Sequence, residues 1–201
     1  MQEELIEVVD EDNEPTGEAL PRSEVLSKHM WCRTTNVYIL NRKGEILCHQ
    51  RSLLKERHPG AWATHFGGHL CKGEIYESNA IKELEEELGL KIPFVKLVPW
   101  RTTKNEEAKI WVREFMTVYD GDLTNLPIQK EEVNELRWFT IEHIMSERLN
   151  NTAVWMAGTH DILAEYQCLR AVLTACLSLG VFDESYKELH KWGPPIIKQL
   201  T

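Results

Sequence analysis

GHLCKGEIYESNAIKELEEELGL, running from Gly68 to Leu90, is the most informative segment of the chain. From about Ser78 to Leu88 it predicts a helix, with Gly89 standing where a helix C-terminus favours a left-handed residue. At helical spacing Glu83, Glu86 and Glu87 occupy i, i+3 and i+4 and share a face. Ile81, Leu84 and Leu88 fall on another face, suited to packing on a sheet, and Glu85 points away from the acidic trio. Like charges about 6 Å apart repel by roughly 3 kcal/mol at an effective dielectric near 20, and by under ~1 kcal/mol in water. A solvated face tolerates that crowding, whereas a cleft wall demands a cation. Oxygen-only donors suit a hard ion, Mg²⁺ or alternatively Mn²⁺. An acidic helix face taken alone is usually just wet surface. The glycine turn upstream, Glu74 in the loop, and Gly89-Leu90 at the helix end tip the balance towards an ion site.

Outward from that segment the pattern is mixed. Residues 4 to 20 read as a hairpin, LIEVV and GEAL around a polar stretch, followed by a short helix over 22 to 30. TNVYILN and EILCHQR form a strand pair turning at Arg42-Lys43-Gly44, where Gly44 supplies a positive φ. A charged loop, SLLKERHPG, leads into the strand-like AWATHF. Beyond Leu90 come the strand candidates FVKLVPWRTT, KIWVREFMTVYD and ELRWFT, then a short helix, IEHIMSER. His160 to Leu179 carries apolar residues at helical spacing and ends at Gly180, with a second amphipathic helix over 182 to 192. Strands interleaved with helices imply an α/β fold, a mixed sheet sandwiched between helices. Three regions follow: an N-terminal hairpin and short helix over 1–33, a core over 34–148, and a helical extension over 149–201 packed on that core.

The net charge of −9 disfavours binding to a nucleic-acid backbone but leaves room for a small phosphorylated substrate beside a metal or a local basic patch. No apolar run is long enough to span a bilayer, and the acidic N-terminus lacks the features of a signal peptide. Five cysteines without CxxC spacing fit reduced thiols and a cytoplasmic location. Cys168 and Cys176 sit in the apolar helical pattern as packed residues.

Gly68, Glu74, Glu83, Leu84, Glu86, Glu87, Gly89 and Leu90 match the Nudix box, Gly-x5-Glu-x7-Arg-Glu-U-x-Glu-Glu-x-Gly-U, in which U is a bulky aliphatic residue. The one departure is Lys82 in place of Arg. The segment therefore resembles the Nudix superfamily. The resemblance implies an α/β/α sandwich and a Mg²⁺-dependent hydrolase cleaving a diphosphate linkage, in a nucleoside diphosphate derivative or related organic diphosphate. By the same resemblance Glu83, Glu86 and Glu87 hold the metal with a backbone carbonyl at Gly67 or Gly68, and Glu74 supports the helix. The family's arginine is held to orient a ligand glutamate; Lys82 offers charge there without a planar two-pronged contact. Metal-assisted attack of water at phosphorus needs a carboxylate to accept the proton, and Glu86, Glu83 and Glu114 are the candidates. Glu114 reads equally as a base or further metal ligand and as an exposed acid on an edge strand.

Substrate phosphate needs cations, and His49, Arg51, Lys55, Arg57 and His58 form the densest basic stretch. Arg51 and Lys55 are the expected clamp, with Arg57 and His58 solvated. VDEDNEPTG, the QR of Gln50-Arg51, PGAW and GGH extend the resemblance, over roughly residues 7 to 140, to the branch containing type I isopentenyl-diphosphate isomerase and hydrolase-like relatives. The isomerase's cysteine position is Gly67 here, one of its histidine positions is nearest to Cys32, and its Glu-x-Glu is Val112-Arg113-Glu114. Only His69 and Glu114 survive from that set, so isomerase activity is the disfavoured alternative. His69 reads either as a substrate or metal contact or as a brace for its loop. A non-catalytic nucleotide-binding Nudix module is the third reading, set against the intact helix carboxylates. The 149–201 extension could complete the pocket or form a homodimer face.

Overall fold

A computed structural model of the chain describes residues 4–92, 96–150, 153–156 and 162–182. Of the helix expected over 182–192, all but residue 182 lies outside the described residues. Strand β1 (Leu5–Val9) pairs antiparallel with β2 (Pro15–Pro21), and helix α1 (Arg22–Ser27) follows. The long strand β3 (Cys32–Leu40) turns into β4 (Ile46–Arg51), with Gly44 at φ +83° as its position required. Of AWATHF only Trp62–Ala63 is strand, β5; the chain then runs beside β3 through bridges at Phe66 and His69. Helix α2 (Tyr76–Leu88) carries the acidic stripe. Strands β6 (Val98–Asn105), β7 (Ile110–Val118) and β8 (Val133–Phe139) and helices α3 (Ile141–Asn150) and α4 (Ile162–Ser178) complete the described chain.

The sheet is mixed. Its path β2-β1-β3-β4-β5 is joined by β7, parallel to β3 over nine residue pairs, by β6 against β7, and by β8 against β4. Strict alternation along β3 fills both faces. Val37 and Ile39 pack with Leu84 and Leu88 of α2, while Tyr38 and Leu40 pack with Leu169 and Leu173 of α4. The α/β/α layering expected from the sequence is thus met, with α4 on the sheet face opposite α2. Cys176 is buried, but Cys168 is exposed and is not the packed thiol its helical pattern led us to expect. The register of α4 places Leu169 inward and its neighbour outward. Among the described residues no helix is long and apolar enough to cross a membrane.

The N-terminal hairpin is stitched to the loop before α2. Glu7 donates its N–H to the Leu70 carbonyl and Lys72 donates to that of Leu5. Ile6, Val8, Val25 and Cys32 close a small core beneath it. This docking sets α1 across a cleft from the loop at residues 52–57.

Candidate active site

Helix α2 begins where Ser78 reaches back to accept the Ile75 N–H at 3.1 Å, satisfying a donor that the helix start leaves open. It ends at Gly89, φ +64°, whose N–H returns to Glu85 while the Leu90 N–H reaches Leu84. The acidic stripe is not uniform. Glu83 and Glu87 are partly withdrawn from solvent, and Glu86 is exposed. Helical geometry explains the split: from Glu83, Glu87 is rotated about 40° towards Leu84 and Leu88, and Glu86 about 60° away.

Glu83 lies against the Gly68 backbone so closely that a Cβ on Gly68 would meet its Oε1 at 2.4 Å. On its other side is Asn79, fully buried. The Asn79 Nδ2 donates to the His69 carbonyl at 3.1 Å and to Glu74 Oε2 at 3.0 Å, and lies 3.5 Å from Glu83 Oε1. Its Oδ1 accepts from the Thr35 hydroxyl at 2.6 Å. Sequence reading passed over Asn79, although one step of four back from Glu83 lands on it. Glu74 also accepts the Cys71 N–H at 2.8 Å and pairs with Lys82 at 3.3 Å. Burial would raise the Glu74 pKa, but the Cys71 N–H, Asn79 and Lys82 together hold it below its usual value. Lys82 therefore serves Glu74, and more distantly Glu4 at 3.9 Å, so its ion pairs do not go to the expected ligand glutamates.

Burial pushes Glu83 up to about 7, with Lys82 opposing and Glu86 adding to the rise. Burial pushes Glu87 further, to about 8, assisted by Glu83 and Glu132 and opposed by Lys55 and Arg51. The Glu87 Oε2 is buried without a hydrogen-bond partner. Two poorly compensated carboxylates, one with an orphaned oxygen, are a donor set that a hard divalent cation would satisfy. Among the described residues no three His, Cys, Asp or Glu side chains form a ready metal cage. Glu83, Glu86 and Glu87 thus share the helix face expected of them without converging into a cage by themselves. The Gly68 carbonyl accepts the Thr35 N–H at 3.0 Å, leaving one lone pair open.

A cleft of about 720 Å³ opens between α1 and the 52–57 loop, and Arg22, Arg51, Lys55 and Arg57 line it with Glu4 and Leu26. Arg51 donates through Nε to the Arg57 carbonyl at 3.2 Å, and Lys55 pairs with Glu132 at 2.5 Å. Arg51 and Lys55, expected as a clamp, line one cleft together with Arg57. Arg22, far upstream in the sequence, was not foreseen. In the loop before α2, the His69 Nε2 is buried without a partner. Burial, then Arg22 and Arg57, push the His69 pKa down to about 4, so its ring is neutral at pH 7. Its backbone carbonyl, rather than its ring, makes the bracing bond to Asn79.

Glu114 requires correction. It is 1% exposed, and Arg101 grips both its oxygens, at 2.6 and 2.9 Å. Phe115 faces α2 and Met116 faces α4, so Glu114 projects from the α4 side of the sheet, away from the acidic stripe. It is a buried ion-pair partner instead of a base or an exposed edge acid. The isomerase's cysteine could not stand at residue 67, because Gly67 has φ +141° and a Cβ there would lie 2.1 Å from the Thr35 carbonyl. Cys32 is packed in the small core, its thiol pushed up to about 11 by burial.

Residues 30–157 match the NUDIX domain family. An uncharacterized Nudix hydrolase of Pseudomonas aeruginosa is 33% identical over 144 residues, 72% of this chain and 83% of that protein. An isopentenyl-diphosphate Delta-isomerase of Photorhabdus laumondii is 26% identical over 140 residues, 69% of this chain and 78% of its own length. The crystal structure of the Deinococcus radiodurans protein DR0079 shares the fold with a TM-score of 0.66 at 20% identity, over 86% of this chain and 99% of that one. The motif, the layered architecture and these likenesses agree: the chain belongs to the Nudix family, as a hydrolase of the pyrophosphohydrolase kind.

Proposed function

We propose that the chain cleaves the diphosphate linkage of a small organic diphosphate, such as a nucleoside diphosphate derivative, with Mg²⁺ held by Glu83, Glu86 and Glu87 and a carbonyl at Gly68. The observation that carries this is the orphaned Oε2 of Glu87, buried beside a second undercompensated carboxylate. Mn²⁺ would satisfy the same oxygens. A bound ion would supply charge neutralisation at the diphosphate and a more acidic water.

The chain's own residues supply the rest. Arg22, Arg51 and Arg57 set a positive field in the cleft, and guanidinium groups suit phosphate oxygens through paired N–H donors. Neutral His69, in the loop before α2, carries an unpartnered ring nitrogen able to hydrogen-bond a substrate oxygen. Glu86, at the solvent-facing edge of the stripe, is the carboxylate we assign to accept the water's proton. The test is release of phosphate or monophosphate from a panel of organic diphosphates in Mg²⁺. The parent cleaves at least one of them and Glu87→Gln loses that activity; undiminished turnover in the variant defeats the assignment. Isopentenyl diphosphate gives no allylic isomer, since no side chain can occupy residue 67 on this backbone.

A further inference from the structure

We propose that Asn79 is a positioning residue for diphosphate cleavage: anchored by Thr35, its carboxamide clamps the Gly68–His69 turn to α2 and fixes the Glu83 carboxylate. The inference rests on the ion-binding reading of the α2 stripe. A buried carboxamide inside a helix is costly unless its hydrogen bonds are met, and alanine would serve helix stability better. Here every polar atom is engaged. The Thr35 hydroxyl, on a residue 1% exposed, holds Oδ1. Nδ2 then faces three oxygens with two hydrogens: the His69 carbonyl, Glu74 Oε2 and Glu83 Oε1. Three acceptors on one side and a hydroxyl donor on the other fix the orientation of the amide.

The consequence is positional. Glu83 is confined between the bare Cα of Gly68, where a Cβ would intrude to 2.4 Å, and the Asn79 amide. The same amide ties the carbonyl of His69 to the helix, so the loop and the carboxylate move as one unit. Outer partners of this kind set the aim of groups that hold an ion, and their loss typically costs about 10- to 100-fold in affinity or activity.

Mn²⁺ alone is the probe, titrated against the full chain by electron paramagnetic resonance of the free ion. Asn79→Ala is expected to weaken binding about tenfold. Thr35→Val, which keeps the shape and removes the anchoring hydroxyl, weakens it in the same direction, while Thr35→Ser retains parent affinity. The double variant binds no more weakly than Asn79→Ala alone, because the two residues act as one network. Parent-like affinity in both Asn79→Ala and Thr35→Val, with only the melting temperature lowered, would make Asn79 a structural staple and overturn the proposal. Should Asn79→Ala fail to fold, the Thr35→Val and Thr35→Ser pair carries the decision. Glu83→Gln separates the two levels. If it binds Mn²⁺ like the parent, the ion site is misplaced and the positioning role falls with it. If it loses binding while the Asn79 network variants do not, the positioning role alone falls.

Discussion

Glu87 and Glu114 both have carboxylate oxygens withdrawn from water, on opposite faces of one sheet, and their surroundings could hardly differ more. Glu114 has both oxygens held by Arg101, which in turn stacks on Trp100 with its guanidinium 4.4 Å from the ring centroid. Glu87 has one oxygen with no partner and a neighbouring glutamate that raises its pKa further. A buried acid with its own arginine is already satisfied and contributes to the fold. A buried acid without one is the place where the proposed cation would offset the unmet charge.

Exchanging charge for amide at each place gives the sharpest contrast. Glu87→Gln should lower Mg²⁺-dependent turnover by about 10²- to 10³-fold, the loss typical when one preorganised electrostatic contact is removed. Its thermal stability without metal should hold or rise. Glu114→Gln should do the reverse, costing about 2 kcal/mol in urea unfolding while Mn²⁺ affinity stays at the parent value; the cost is below that of a fully enclosed pair because Arg101 keeps some water. Matching profiles in the two variants would erase the distinction. On the cleft side, Arg22→Ala should raise KM about tenfold with kcat little changed, since it removes a contact made equally to bound substrate and transition state. A fall in kcat alone would move Arg22 from binding to chemistry.

The pH dependence follows from the raised carboxylates. With folded values of about 7 and 8 for Glu83 and Glu87, their contribution to stability is full below the unfolded carboxylate range near 4.5. It is lost as pH rises through the folded values, because the unfolded chain releases protons that the folded one retains. In EDTA the melting temperature should therefore decline by a few degrees between about pH 5 and 8, and Mg²⁺ should flatten the curve. A metal-free profile without slope would contradict this burial. The smallest effect belongs to Lys82→Arg, which should alter turnover by no more than about twofold, since residue 82 pairs with Glu74 and Glu4 in a partly solvated setting.

Much of this arrangement is legible along the chain because it is local. The glycine at the end of α2, the turn at Gly44 and the apolar stripe of α4 each follow from the intrinsic preference of a few neighbouring residues. The acidic stripe is legible for the same reason, although which of its members turn inward depends on where Leu84 and Leu88 find the sheet. The Arg101–Glu114 pair is not legible, because it joins adjacent strands through a register containing an irregularity between Pro99 and Arg101. Arg22 and Asn79 escape notice for another reason. Each acquires its role only when a distant segment, the 52–57 loop or Thr35, arrives beside it.

The stitching of the N-terminal hairpin bears on where this enzyme can be cut. The family match begins at residue 30, yet the Leu5 carbonyl and Glu7 N–H are bonded to the strand-like run entering α2, and Arg22 forms one bank of the basic cleft. Trimming the protein to its recognised motif region would expose Cys32 and Ile110 to water and strip Arg22 from the cleft wall. The smallest piece that keeps the hairpin's bonds and the cleft whole starts ahead of β1.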